Sequence, residues 1–191
     1  KNIPAMTARA SALLVAGRDD EAVEALNELE AVSEEKSPNK STQAQLCATQ
    51  AVLRAERGER AEAEERFANC LEKFPGFAVL VEPAISFYDQ TGQQELATQV
   101  LERALELVPE SQYYRRMLSQ RAASRGDFET AETILKQGVE FEDSEMRVAG
   151  WTDLTNFYLQ REDLPAAIDA YENALALTED APQLAILSHA D

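Results

Sequence analysis

The stretch "GQQELATQVLERALELVP", residues 92–109, sets a glycine first, an alanine five residues on, a leucine four beyond that, an alanine three further, and a closing proline. The same order recurs 34 residues earlier and 34 later. Gly58, Gly92 and Gly126 lead to Ala63, Ala97 and Ala131, then to Phe67, Leu101 and Leu135, then to the small residues Cys70, Ala104 and Gly138, and Pro75 and Pro109 close the first two units. Two more copies flank these three. One has Glu162 in the glycine's place, followed by Ala167, Tyr171 and Ala174; the other runs Gly17, Ala22, Leu26 and Leu29. The first copy lies 41 residues before the second, and the surplus falls in "SEEKSPNKS", residues 33–41, a polar, helix-breaking stretch that predicts a longer loop.

Within each copy apolar residues recur with a helical period in two runs split by the glycine, the pattern of a helical hairpin. The spacing predicts helices over 3–16 and 19–33, 43–57 and 60–74, 78–91 and 94–107, 111–125 and 128–141, and 145–160 and 164–178, with 182–189 starting a further one. A glycine suits the left-handed residue that ends a helix, and Asp127 after Gly126 is placed to cap the next. Pro83 falls inside a first helix, where it removes a backbone donor and predicts a kink or a delayed start; Pro165 follows the expected N-cap Asp163, where that loss costs little.

A repeat of this length and order resembles the tetratricopeptide repeat, whose unit reads W-x2-L-G-x2-Y, then A-x3-F, then P. The segment "WTDLTNFYLQREDLPAAIDAYENALAL", residues 151–177, supplies Trp151, Leu154, Thr155 and Tyr158, then Ala167 and Tyr171, with Thr155 in place of the family glycine. Residues 44–77 supply a weaker first helix (Cys47, Gln50, Ala51, Arg54) and a strong second one (Ala63, Phe67, Cys70, Pro75). The resemblance implies an all-α fold, a right-handed α-α superhelical solenoid of about five tetratricopeptide-type hairpins plus a partial C-terminal helix. It is read as a single repeat domain over 1–191, with repeats at 3–41, 42–77, 78–111, 112–145 and 146–181 and a partial capping helix at 182–191. Pentatricopeptide and Sel1-like repeats are the near rivals; the former bind RNA in basic grooves, and the latter run longer with different small-residue spacing. In each hairpin the small residues Ala51, Ala63, Ala97, Ala131 and Ala167 let helices approach, while aromatic and leucine side chains fill the gaps between neighbours.

Charge argues against an RNA-binding reading. Lys and Arg number 18 against 35 Asp and Glu, a formal net charge of −17, which repels phosphate backbones and anionic membranes. The hydrophobic fraction of 45% is that of a soluble, folded protein, and no apolar run approaches the roughly 20 residues that span a bilayer. The chain opens on Lys1 rather than Met and reads as a piece of a larger protein, with no targeting signal in this segment and cytoplasmic and periplasmic settings both open.

No nucleotide-binding, zinc-protease, redox C-x-x-C or EF-hand pattern occurs, so no catalytic residue, cofactor or metal is expected. Trp151 stands at a core position of the repeat and reads as filler rather than a stacking platform. Cys47 and Cys70 fall on apolar stripes and read as buried free thiols, although adjacent helices allow a bridge where the backbone geometry is favourable. His189 has no nucleophile beside it, and the carboxylate pairs Asp19/Asp20 and Glu64/Glu65 read as solvated faces.

The resemblance implies that first helices line a concave surface. Helical phase places Gln45, Ala48 and Val52 there, then Glu82, Ser86 and Asp89, then Tyr113, Arg116 and Gln120, then Thr152, Asn156 and Gln160. Tyr113 and Arg116 are of the types most common at binding hot spots. Family members that grip acidic C-terminal tails use a clamp of Lys, Asn, Asn, Lys and Arg; here Glu82, Asp89 and Asp153 lie on or beside the surface, and 43–57, 78–91, 111–125 and 145–160 hold no lysine. The expected function is a non-catalytic scaffold binding a peptide or helix segment that carries basic residues, with no nucleic acid and no direct membrane insertion. The alternative is an oligomerisation module using terminal residues such as Ile3 and Met6 or Leu184 and Leu187, or the regulatory region of a larger multidomain, membrane-anchored or secretion-related protein.

Overall fold

The computed structural model describes residues 3–36 and 39–179, and it forms two compact units, 1–107 and 108–191. The first unit holds α1 (Ile3–Val15), α2 (Asp19–Lys36), α3 (Lys40–Glu56), α4 (Arg60–Lys73), α5 (Ala78–Gln90) and α6 (Gln94–Leu107). The second holds α7 (Gln112–Ser124), α8 (Phe128–Lys136), a 3-10 turn (Gln137–Val139), α9 (Ser144–Gln160) and α10 (Leu164–Glu179). Among the described residues there is no strand. His189 and the expected helix at 182–189 lie outside them.

Each helix pairs with its successor across a short turn, α1 with α2, α3 with α4, α5 with α6, α7 with α8 and α9 with α10. First helices also touch the next first helix within a unit, α1–α3–α5 in one and α7–α9 in the other. A hairpin has an apolar stripe it cannot cover alone, and this stacking covers it.

The turns explain the period. Gly92 takes φ +78° and Gly126 φ +81°, and the residue after each donates its N–H back to the carbonyl five positions earlier, Gln93 to Tyr88 at 2.7 Å and Asp127 to Ala122 at 3.0 Å. That bond satisfies an orphan carbonyl at the helix end and needs a left-handed residue before it. Glu162 fills the same slot at φ 60°, the one positive-φ residue other than glycine among those described, and Asp163 donates to Tyr158 at 3.0 Å. Asp127 caps α8 by accepting from the Thr130 N–H at 3.1 Å, and Asp163 caps α10 through Ala166 at 3.3 Å.

The alanine ladder is buried as its spacing implies: Ala51, Ala63, Ala97 and Ala131 are wholly enclosed and Ala167 nearly so. Phe67 is fully buried, with its ring 5.1 Å from Phe87 and 6.4 Å from Tyr88, so the second helix of one repeat fills the first helix of the next. Burying such a side chain contributes about 2–3 kcal/mol. Trp151 is partly buried against Ala122, Ala131, Leu135, Leu154, Phe157 and Ala170, as core filler should be.

Five expectations need correction. The surplus between the first two repeats does not make a long loop: α2 runs on to Lys36 and α3 starts at Lys40, so both helices lengthen to absorb it. Pro83 does not delay α5, which runs through it from Ala78 to Gln90. The helix expected over 128–141 stops at Lys136 and tightens into the 3-10 turn, because Gly138 lies directly against Gly150 of α9. Tyr171, in the slot filled by the buried Phe67, Leu101 and Leu135, is 51% exposed.

The fifth correction concerns the cysteines. Cys47 of α3 and Cys70 of α4 form a disulfide with Cα atoms 5.8 Å apart, and no free cysteine remains. Cys47 stands in the slot that Trp151 fills in the last repeat, and Cys70 in the small-residue slot that packs beneath it. Two small side chains at that crossing bring the backbones within bridging distance.

Candidate functional site

Of the residues that helical phase placed on an inner face, the first group splits. Ala48 is buried in a stripe with Ala44 and Ala51 and lines no surface, and Val52 is half-buried against the core around Leu26 and Leu53. Gln45 is partly exposed and borders a cavity of about 430 Å³ with Thr7, Ser11, Ser41 and Thr42. Glu82, Ser86 and Asp89 are exposed on α5, where the Ser86 hydroxyl accepts from Gln90 Nε2 at 2.9 Å.

The second unit gathers its residues more tightly. Arg116, Gln120, Asn156 and Gln160 all line one cavity of about 410 Å³ between α7 and α9. They converge because α7 and α9 are the first helices of consecutive hairpins. Arg116 and Gln120 lie one helical turn apart, as do Asn156 and Gln160. Apolar walls come from Ala123, Leu135, Phe157 and Leu159. Tyr113 and Thr152 do not line it: Tyr113 is 44% exposed with its ring 5.7 Å from Tyr114, and the Thr152 hydroxyl donates to the Val148 carbonyl at 2.8 Å.

Two residues missing from the inner row also line this cavity. Ser119 is buried and donates to the Ala131 carbonyl at 2.9 Å, which spends its hydroxyl on holding α7 to α8. Asp153 is 6% exposed, and its Oδ1 accepts from Arg116 Nη1 at 3.4 Å, the long end of an ion-pair contact. Its other carboxylate oxygen, Oδ2, is buried without a hydrogen-bond partner. Loss of water pushes the Asp153 carboxyl above its ordinary value, while the Arg116 and Arg115 guanidiniums pull it back down.

The cations differ. Arg115 is buried, and its guanidinium donates to the Pro109 carbonyl and to Gln112 Oε1 and sits 5.0 Å above the Phe141 ring, so its reach is committed to the start of α7. Burial lowers its basicity, with the Asp153 charge opposing. Arg116 has a side chain 57% exposed and one long contact to Asp153. Below the cavity Tyr158 donates to Glu132 Oε1 at 2.7 Å and joins α9 to α8; desolvation first, then that hydrogen bond, pushes its hydroxyl up to about 12.

Among solved structures, one similar chain is a Podosopora anserina kinesin-light-chain-like protein with nearly identical TPR-like repeats. At 16% identity it matches with a TM-score of 0.58, over 95% of this chain and 97% of its own. The fold is the tetratricopeptide repeat. A MamA structure matches at 12% identity and a TM-score of 0.56 over 96% of this chain and 95% of its own, and MamA 41-end from Desulfovibrio magneticus RS-1 at 16% and 0.52 over 94% and 96%. No protein-family model matches the chain, and no curated protein matches it. Among the described residues no tetratricopeptide helix is long and apolar enough to cross a membrane, and no group of three or more His, Cys, Asp or Glu is placed to hold a metal.

Proposed function

We propose that this chain is a non-catalytic interaction scaffold that holds an extended peptide or a helix of a protein partner against the first helices of its repeats. The observation that carries the reading is the convergence of Arg116, Gln120, Asn156 and Gln160, from two separate hairpins, on one cavity. Such a surface offers donors and acceptors in a row over an apolar floor, which suits a peptide whose backbone and side chains both need partners. With a net charge of −17, a partner segment bearing Lys or Arg is drawn in, and its binding weakens as salt rises. The expected result of affinity capture is that wild-type protein retains partners that Gln120→Ala plus Asn156→Ala loses. Identical partner sets from the two would remove these residues from the site.

A second reading is self-association through α10. Leu164, Ile168, Tyr171 and Leu175 follow one another at helical spacing and are 59%, 56%, 51% and 38% exposed. A stripe of that kind on the second helix of a hairpin suits the matching face of a second copy. The end residues singled out from sequence serve this reading less well: Met6 packs against the core of its own unit, and Leu184 and Leu187 lie outside the described residues. Sedimentation velocity should then show a concentration-dependent dimer that Ile168→Glu plus Tyr171→Glu dissociates. A sedimentation coefficient independent of concentration for the wild type sinks this version.

A further inference from the structure

The carboxylate between Trp151 and Leu154 has no evident structural duty. Asp153 lies where the neighbouring residues are core, and burying a charge there costs several kcal/mol unless it is fully paired. Its pairing is half complete: one oxygen has a long contact to Arg116, and Oδ2 is enclosed with no partner. A buried polar atom left in that condition calls for an explanation. Because Asp153 lines the cavity between α7 and α9, that explanation lies in the cavity.

We propose that the cavity is a subsite for one cationic side chain, Lys or Arg, of the partner segment, with Asp153 as its counter-ion. The assignment rests on the scaffold reading above and narrows it to the chemistry of one position. The incoming ammonium or guanidinium takes the place of Arg116 at the Asp153 carboxylate, whose Oδ2 no protein group reaches. The aliphatic stem of the side chain lies along Leu135, Phe157 and Leu159, and Gln120, Asn156 and Gln160 at the rim take the backbone of the peptide. Arg116 makes room without unfolding anything, since its side chain is largely in solvent and holds Asp153 through a single contact. A carboxylate enclosed by apolar walls discriminates sharply, because a neutral or acidic side chain leaves Oδ2 as orphaned as before.

The test begins with selection of random 12-residue peptides displayed on phage against the whole protein, followed by affinity measurement on the selected synthetic peptides. The proposal expects every groove-binding peptide to carry an essential Lys or Arg whose replacement by norleucine weakens binding at least tenfold. It expects Asp153→Asn to lose the same factor, with its melting temperature and helical content intact. If Asp153→Asn does not fold, the norleucine exchange on the wild-type protein decides alone. Peptides that bind through Arg116 and Gln120 yet tolerate norleucine overturn the subsite and leave the scaffold reading standing. A selection that yields no peptide overturns both.

Discussion

Gly150→Ala should destabilise the second unit by about 3 kcal/mol, at the upper end of the usual cost of overpacking. A Cβ at that position would stand 2.4 Å from the Gly138 carbonyl oxygen, 2.5 Å from its carbon and 3.0 Å from the Val139 nitrogen. All three are backbone atoms, so no rotamer change relieves the clash. Either the 3-10 turn Gln137–Val139 moves off α9 or the helix itself shifts, and both disturb Leu135, Leu154 and the cavity above them. Gly126→Ala is the matched control in the same unit: it faces no atom within 4 Å and meets only the left-handed φ of +81°, a cost of about 1–2 kcal/mol. The sole tryptophan, Trp151, is the next residue to Gly150, so urea unfolding followed by its fluorescence reports on the right unit. Should Gly150→Ala lose no more stability than Gly126→Ala, the close approach of Gly138 to α9 is not as described.

That contact also marks where sequence reading stops. Gly138 is visible as the small residue in the slot of Cys70 and Ala104, but nothing in the string says that Gly150 is what it meets. Local rules were legible because they are local: the left-handed turn at Gly92 and Gly126, its copy at Glu162, and the caps at Asp127 and Asp163 each involve residues within one turn of helix. Burial is harder, since it depends on what comes next. Tyr171 carries the same pattern as Phe67, yet Phe67 has Phe87 and Tyr88 above it and Tyr171 stays exposed.

The site was half legible for a related reason. Helical phase lined up Arg116 with Gln120 and Asn156 with Gln160, and all four line the cavity between α7 and α9, because residues four apart share a face whatever the tertiary context. Phase alone put Ala48 and Val52 on the same footing, and the packing of α3 into the core buried Ala48 and half-buried Val52. Sequence placed Asp153 on or beside the inner surface, as an acid like Glu82 and Asp89. Only the enclosure of Oδ2 sets it apart from them.

Reduction of the Cys47–Cys70 bond should weaken the first unit by about 3 kcal/mol, the loop-closure effect of joining residues 23 apart in sequence. The expected size follows from what the bridge replaces. In the last repeat the first helix sets Trp151, Leu154 and Tyr158 along its stripe, whereas α3 has Cys47, Gln50 and Arg54 in the same slots and so has far less apolar surface to bury against α4. A covalent tie at this crossing offsets that shortage by restricting the unfolded chain instead of adding contacts to the folded one. Trp151 is in the other unit, so the measurement is amide hydrogen exchange across α3 and α4 with and without a phosphine reductant. Protection there should fall by roughly two orders of magnitude in the reduced protein, while α9 and α10 exchange as before. The Cys47→Ala plus Cys70→Ala variant should match the reduced protein, apart from the small cavity it leaves, and should ignore the reductant. Two titratable thiols in the untreated, folded protein, or unchanged protection on reduction, would show that α3 and α4 are held without the bond.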